Sequence, residues 1–155
     1  MMDRFALGDA PGRRTIVVSW ASFVIFAAVA VPCALGVAAL EGVVAVVSLV
    51  SFAIGFVVWV WAFAVALGRT TRGDDIAVSN WVFLSGSAPA PVRRHLLLVA
   101  ALTLFVTIGA TSASPFVWLA DLLPLGLSAW WGARHGTFPA RTPARRGASG
   151  GRPGK

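Results

Sequence analysis

The stretch that decides the fold runs from residue 15 to residue 67 and reads TIVVSWASFVIFAAVAVPCALGVAALEGVVAVVSLVSFAIGFVVWVWAFAVAL. Its one charged residue, Glu41, stands beside Gly42 and separates two long apolar runs. A membrane span needs about 20 apolar residues, so each run is long enough by itself. A single helix over both runs would be about 75 Å long, which exceeds the thickness of any bilayer. We therefore predict two antiparallel transmembrane helices joined by a tight turn at Glu41.

The composition of the whole chain agrees with a membrane protein. Of its 155 residues, 57% are hydrophobic and 12% are charged, whereas about a quarter of the residues in a soluble domain are charged. This excludes an ordinary soluble globule and an intrinsically disordered chain. The single cysteine, Cys33, excludes an internal disulfide. His95 and His135 lie far apart without metal-ligand spacing, so we expect no metal site and no cofactor.

Two further apolar runs follow, and Ser114 with Pro115 is typical of the start of the last helix. The predicted fold is all-α: a polytopic membrane protein with a four-helix transmembrane bundle. The predicted segments are an N-terminus at 1–14, spans at 15–40, 43–67, 94–112 and 115–132, a loop at 68–93 between the second and third helices, and a tail at 133–155. We expect the tail to be disordered, because it is rich in Arg, Gly and Pro and has no apolar periodicity.

The distribution of Lys and Arg predicts the orientation. Three of the thirteen basic residues precede the first span, four lie in the loop or at the first position of the third span, and six follow the last span, which puts all of them on one side of a four-span bundle. We expect the protein to lie in the plasma membrane, and the positive-inside rule places the basic side, with both termini, in the cytoplasm.

A cleavable signal ending at Ala30 is the alternative for the first run. It is disfavoured because the apolar run continues for about ten residues beyond that point.

Asp121 is the ionisable residue that lies well inside a predicted span. It follows Pro115 by six residues, about 9 Å into the membrane, and the helices carry no Lys or Arg at that depth. Acids within a membrane are functional by default, so Asp121 is the candidate intramembrane site. We expect it to face inward and to hydrogen-bond a hydroxyl at similar depth. The available hydroxyls belong to Ser48, Ser51, Thr107 and Thr111.

The loop and the tail hold the other candidate residues. The acids at 74 and 75 are expected either to cap a short helix over residues 76–84 or to pair with Arg69 and Arg72. The candidate cytoplasmic interaction site consists of Asp74, Asp75, Asn80 and Trp81. The candidate lipid-contacting residues are Arg134, His135, Arg141, Arg145 and Arg146. Basic residues beside a membrane attract anionic lipids, which we therefore expect at the cytoplasmic face.

Small residues recur at intervals of four along the predicted helices. They are Ala30, Ala34 and Ala38 in the first span, Ser51 and Gly55 in the second, and Ala120, Pro124, Ser128 and Gly132 in the fourth. Helices in lipid associate through close backbone approach over such residues. The alternative is that an Ala- and Gly-rich composition produces the spacing by chance. Pro32 is expected to kink the first helix, because it removes one helical hydrogen bond.

Two segments carry a resemblance. RGDDIAVSNWVFLSGSAP at 72–89 and WGARHGTFP at 131–139 resemble segments of small four-span actinobacterial membrane proteins of unassigned activity. The resemblance implies a plasma-membrane location and no known chemistry. The size and span count are also similar to those of the small multidrug resistance transporters. Those transporters have a membrane-embedded Glu in their first helix, whereas the first span here has no acid before Glu41 at its far end.

The chain shows no G-x-S-x-G, no H-E-x-x-H and no Gly-rich phosphate loop, so we predict that it is not an enzyme. The leading hypothesis is a non-enzymatic scaffold or accessory subunit of a membrane complex. Its expected partners are the lipid bilayer and either another protein or a second copy of the chain, but not nucleic acid. The alternative is a small proton- or ion-coupled transporter that acts as an oligomer through Asp121. A third hypothesis is an envelope-lipid enzyme.

Overall fold

A computed structural model describes residues 11–141 of the chain. Its elements are α1 (Arg13–Ala34), a 3-10 helix (Ala38–Leu40), α2 (Glu41–Thr70), α3 (Val78–Trp81), α4 (Ala90–Ala110), a second 3-10 helix (Pro115–Asp121) and α5 (Leu122–His135). In the described range, the extended pairing consists of one isolated antiparallel bridge between Asp74 and Ala140. The structure therefore confirms the predicted all-α class.

Four segments are long and apolar enough to cross a membrane: α1, α2 with its preceding 3-10 helix, α4, and the continuous segment Pro115–His135. The chain is accordingly a multi-pass membrane protein. Large apolar side chains project outward from the first three of these segments, including Val57 at 66% exposure and Phe105 at 75%. Helices that are apolar all round are found in large cores or in membranes, and here the outer faces are available to lipid.

The fourth span is the centre of the bundle. α5 packs mainly along α2, and α1 packs mainly on α4. In the most apolar stretch of the fourth span 61% of the residues are buried, compared with at most 28% in the other three spans. The fourth span therefore has protein neighbours on most sides, whereas the other three present one side to lipid.

Glycine allows the backbones of α2 and α5 to touch. A Cβ atom on Gly55 would lie 2.7 Å from the backbone nitrogen of Leu123, and one on Gly126 would lie 2.8 Å from the carbonyl oxygen of Gly55. The four small residues of the predicted series in the fourth span, Ala120, Pro124, Ser128 and Gly132, are all buried. In the first span Ala30 is buried, but Ala34 and Ala38 are exposed. The small-residue series therefore marks packing in the fourth span and only in part in the first.

The first helix ends six residues before the predicted boundary. α1 stops at Ala34, and Gly36 then adopts a φ of +100°. The Gly36 amide donates to the Cys33 carbonyl at 3.0 Å, closing the last turn. A glycine with positive φ just after a helix is a common C-terminal stop, because L side chains are strained there. The chain therefore leaves the helix two residues after Pro32.

The fourth span begins as a 3-10 helix and becomes α-helical at Leu122. Pro124 accounts for the change, because it has no amide to donate to the carbonyl of Ala120 and its ring would clash with that carbonyl in an α-helix. If the α-helix instead starts at Leu122, Pro124 lies in its first turn, where the backbone amides have no carbonyl partner within the helix and a proline is tolerated. A 3-10 helix rises about 2.0 Å per residue, so Asp121 lies about 12 Å from Pro115 rather than 9 Å.

Candidate functional site

The described arginines lie at one end of the bundle, which we call the basic end. There the start of α1, the end of α2, the start of α4 and the end of α5 meet. The Thr137 amide donates to the Ser87 carbonyl at 3.0 Å, and the Trp131 indole donates to the Pro11 carbonyl at 2.9 Å. The arginines of this end are Arg13, Arg14, Arg69, Arg72, Arg93, Arg94, Arg134 and Arg141. Glu41 lies at the opposite end, at the start of α2.

Arg69 joins four segments of the chain at the basic end. Its Nε donates to Asp74 at 2.7 Å, and its Nη1 donates to the carbonyls of Ala133 at 3.1 Å and Gly136 at 2.9 Å. The guanidinium carbon lies 4.6 Å from the centre of the Phe138 ring. A planar guanidinium can make all of these contacts at once. The predicted pairing of Asp74 with Arg69 is therefore formed, and it is part of a larger junction.

Residues 137–141, which we call the return segment, run back along the loop. The Asp75 amide donates to the Pro139 carbonyl at 2.9 Å, and the Arg141 amide donates to the Gly73 carbonyl at 2.7 Å. The prediction placed residues 133–155 in a disordered tail. In the structure residues up to 135 belong to α5 and the return segment is hydrogen-bonded to the loop. The rest of that tail, from residue 142, lies outside the described residues, as do Arg145 and Arg146.

The predicted helix over residues 76–84 is shorter in the structure and has a different cap. α3 is a single turn, and the Asn80 side chain accepts a hydrogen bond from the Ala77 amide at 2.8 Å. The Asn80 amide group also donates to the Asp75 carbonyl at 3.0 Å. Asn80 thus supplies the cap expected from the acids, and Asp75 itself points to the exterior.

Trp81 faces the bundle rather than the exterior. Its side chain is buried, and its indole nitrogen donates to the Ala129 carbonyl of α5 at 2.8 Å. Its ring lies 6.0 Å from both Trp59 and Phe63 of α2. Trp59 lies too deep for an interfacial aromatic belt, and this cluster explains its position. Of the four residues predicted as an interaction site, Asp75 alone is exposed, and the other three hold the loop in place.

The predicted lipid-contacting residues divide into two groups. Arg134 and His135 line a cavity of about 420 Å³, the basic cavity, together with Arg13 and Arg14 at the start of α1. The Arg134 guanidinium carbon lies 5.5 Å from the centre of the Trp130 ring. Arg141 is exposed on the return segment, away from this cavity. Arg13 and Arg14 are not among the predicted lipid-contacting residues, although their position directly before the first span was the signal available in the sequence.

An apolar groove of about 400 Å³ adjoins the basic cavity between α1, α2 and α5. Its apolar lining consists of Val18, Val57, Val58, Trp61, Leu127 and Trp130. The groove and the basic cavity share Arg14, Thr15 and Trp130, so they are continuous. Trp61 is the second tryptophan that lies deeper than an aromatic belt, and its ring forms part of this groove.

Asp121 lies beside a third cavity, of about 260 Å³, which is lined by apolar side chains of α4 and α5 and by Phe83. Both carboxylate oxygens are buried and have no hydrogen-bond partner in the described part of the chain. The Thr107 hydroxyl lies next to the carboxyl group, but the pair is outside hydrogen-bond geometry. The predicted hydrogen bond to a neighbouring hydroxyl is therefore not formed.

Among residues 11–141, no three His, Cys, Asp or Glu side chains are grouped so that they could hold a metal ion. No family model, curated protein or solved structure matches the chain. The function is therefore inferred from the residues of this chain alone.

Proposed function

We propose that this protein is a non-enzymatic scaffold or accessory subunit of a plasma-membrane complex, with its basic end in the cytoplasm. The observation that carries this proposal is the attachment of the loop to the end of α5. Arg69 and the return segment fix the loop by hydrogen bonds at five carbonyls and one carboxylate. A fixed surface loses little conformational entropy when a partner binds, which favours a docking role.

The docking surface that we propose is formed by exposed side chains at the basic end, and these carry both positive and negative charge. Arg72, Asp75, Arg94 and Arg141 are exposed at the basic end. Charges held at fixed positions select a partner by electrostatic complementarity and accelerate its association. The concentration of arginine at this end supports a cytoplasmic location through the positive-inside rule.

Co-purification in a mild detergent tests the docking role. The wild-type protein should bring down a stoichiometric partner, and the double variant Arg72→Glu, Asp75→Arg should recover at least tenfold less of it. The control is Glu41→Gln, which changes an exposed charge at the opposite end and should retain the partner. Absence of a stoichiometric partner from the wild-type preparation, or equal loss in both variants, contradicts the proposal.

A second candidate function, proton- or ion-coupled transport by an oligomer, is favoured by the position of Asp121. Its carboxylate oxygens are buried without a partner inside a membrane span and lie beside an apolar cavity. An unpaired acid in such a place is costly unless it carries a proton or contacts a second chain. This combination is typical of residues that carry protons across a membrane.

Proteoliposomes with an internal pH dye test the transport function. Asp121→Asn should insert and fold as the wild type does but should lose proton flux, whereas Glu41→Gln should keep it. If Asp121→Asn retains every measurable phenotype that deletion of the whole protein abolishes, the transport hypothesis is rejected.

A further inference from the structure

We propose that the apolar groove between α1, α2 and α5 binds one anionic phospholipid. One acyl chain occupies the groove, and the phosphate lies in the basic cavity among Arg13, Arg14 and Arg134. This site is independent of the docking surface and of Asp121, because it uses neither of them. It also differs from a general attraction of anionic lipid to basic residues, because it assigns one lipid to one groove.

The groove has the size and lining that part of an acyl chain needs. Its volume of about 400 Å³ falls in the usual range of ligand pockets, roughly 300–1,000 Å³. Its lining runs from Arg14 to Val18 on α1 and from Val57 to Trp61 on α2, which is about 6 Å along each helix. The groove therefore holds the part of one acyl chain that lies nearest the headgroup, and the rest of that chain follows the exposed apolar side chains of α1 and α2.

The basic cavity supplies the charge for a phosphate group. In residues 11–141, the structure pairs none of Arg13, Arg14 and Arg134 with an acid; the ion pair it contains is that of Arg69 with Asp74. Guanidinium groups bind phosphate oxygens through two parallel hydrogen bonds. Thr15 lines both cavities, so we expect the junction between phosphate and acyl chain beside it.

The continuity of the two cavities selects the occupant. A free anion would fill the basic cavity and leave the apolar groove empty. A zwitterionic lipid would bring its choline cation towards three arginines, which repel it. A lipid with a net negative headgroup satisfies both cavities at once, because its charge is opposite to that of the arginines and its chain matches the apolar lining.

Native mass spectrometry of the full-length protein in detergent micelles tests the site. The probes are phosphatidylglycerol and phosphatidylcholine with identical acyl chains. We expect one tightly bound phosphatidylglycerol per chain and an affinity at least tenfold higher than that for phosphatidylcholine. The double variant Arg14→Gln, Arg134→Gln should lower phosphatidylglycerol affinity by about fivefold for each arginine removed. The matched control is Arg72→Gln, Arg94→Gln, which removes two exposed arginines of the same end and should change the affinity less than twofold.

A second pair of variants tests the groove without changing charge. Val57→Trp should fill the groove and abolish the tight phosphatidylglycerol adduct. Val60→Trp, on an exposed position of the same helix outside the groove, should retain it. Circular dichroism of all four variants establishes that the helices are intact before binding is compared.

Four outcomes would overturn the proposal. Equal affinity for the two lipids, or equal loss in both arginine pairs, would show only a diffuse attraction to the basic end. Displacement of phosphatidylglycerol by millimolar inorganic phosphate, with Val57→Trp binding normally, would show a free-anion site. A dimer that excludes phosphatidylglycerol and is disrupted by Val57→Trp would show that a second copy of the chain occupies the groove.

Discussion

At the scale of single residues, Arg69 is the side chain on which the basic end depends. A lysine at this position could still pair with Asp74, but its ammonium group could not also reach the two carbonyls and stack on Phe138. Each lost hydrogen bond costs about 0.5–1.5 kcal/mol, so Arg69→Lys should weaken the attachment of the loop by about 1–3 kcal/mol. Hydrogen–deuterium exchange should show this as faster exchange of the Asp75 and Thr137 amides, by roughly 5- to 150-fold.

Arg72→Lys is the control for this prediction, because Arg72 lies three residues further along and is exposed. It should leave both amides protected. If the two variants exchange at the same rate as the wild type, the loop is held by its backbone hydrogen bonds and Arg69 is not the essential contact.

The sequence predicted only the local part of this junction. Arg69 and Asp74 are five residues apart, so their pairing could be inferred from proximity. The carbonyls of Ala133 and Gly136 are more than 60 residues away in sequence, and only the folded bundle brings them to Arg69. The same limit applies to Trp81, whose buried orientation follows from its contact with α5 rather than from the loop around it.

At the scale of helices, the contact between α2 and α5 is the one most sensitive to volume. Lipid provides no hydrophobic drive for helices to associate, so their stability depends on close packing. A Cβ atom at position 55 would meet backbone atoms of Leu122 and Leu123 at 2.7–2.8 Å, and backbone cannot move aside as a side chain can. Gly55→Ala should therefore destabilise the bundle by about 1–3 kcal/mol. Unfolding in mixed detergent and SDS micelles, followed by circular dichroism, measures the change.

Gly68→Ala provides the matched control in the same helix. A Cβ atom at Gly68 meets nothing within 4 Å, and alanine is the better helix former by about 0.5–1 kcal/mol. The two substitutions should therefore change stability in opposite directions. A stabilising effect of both would mean that α2 and α5 do not touch at Gly55.

The four spans were predictable because length and charge determine them, whereas their boundaries depend on single Gly and Pro residues. The apolar run of the first span continues to Leu40, but Gly36 ends α1 earlier through its positive φ. Pro124 determines where α5 begins, and this boundary cannot be predicted from hydropathy. Small residues predicted packing correctly in the fourth span. In the first span, Ala34 and Ala38 share the spacing but are exposed, since spacing alone does not show which face meets a neighbour.

At the scale of the whole molecule, the most apolar span is the least buried and the least apolar span is the most buried. The second span has the highest mean hydropathy, 2.7, with 17% of its most apolar stretch buried, whereas the fourth has the lowest, 1.2, with 61% buried. A face in contact with lipid must be apolar, but a face in contact with other helices can carry Gly, Ser, Pro and an acid. The weakest span signal therefore marks the central helix, and Asp121 lies in that helix because protein rather than lipid surrounds it.

The charge asymmetry of the bundle predicts its orientation, which cysteine labelling can measure. In a Cys33→Ala background, single cysteines at Gly42 and Ser112, both exposed at the end opposite the arginines, should react with an impermeant maleimide added outside intact cells. A cysteine at Ser79, exposed at the basic end, should react only after the membrane is permeabilised; Ser87 is buried and would be silent on either side. The reason is that the positive-inside rule retains clustered arginines in the cytoplasm. If the cysteine at position 79 is labelled from outside intact cells, the topology is the opposite of the predicted one. The proposed cytoplasmic docking surface would then be rejected as well.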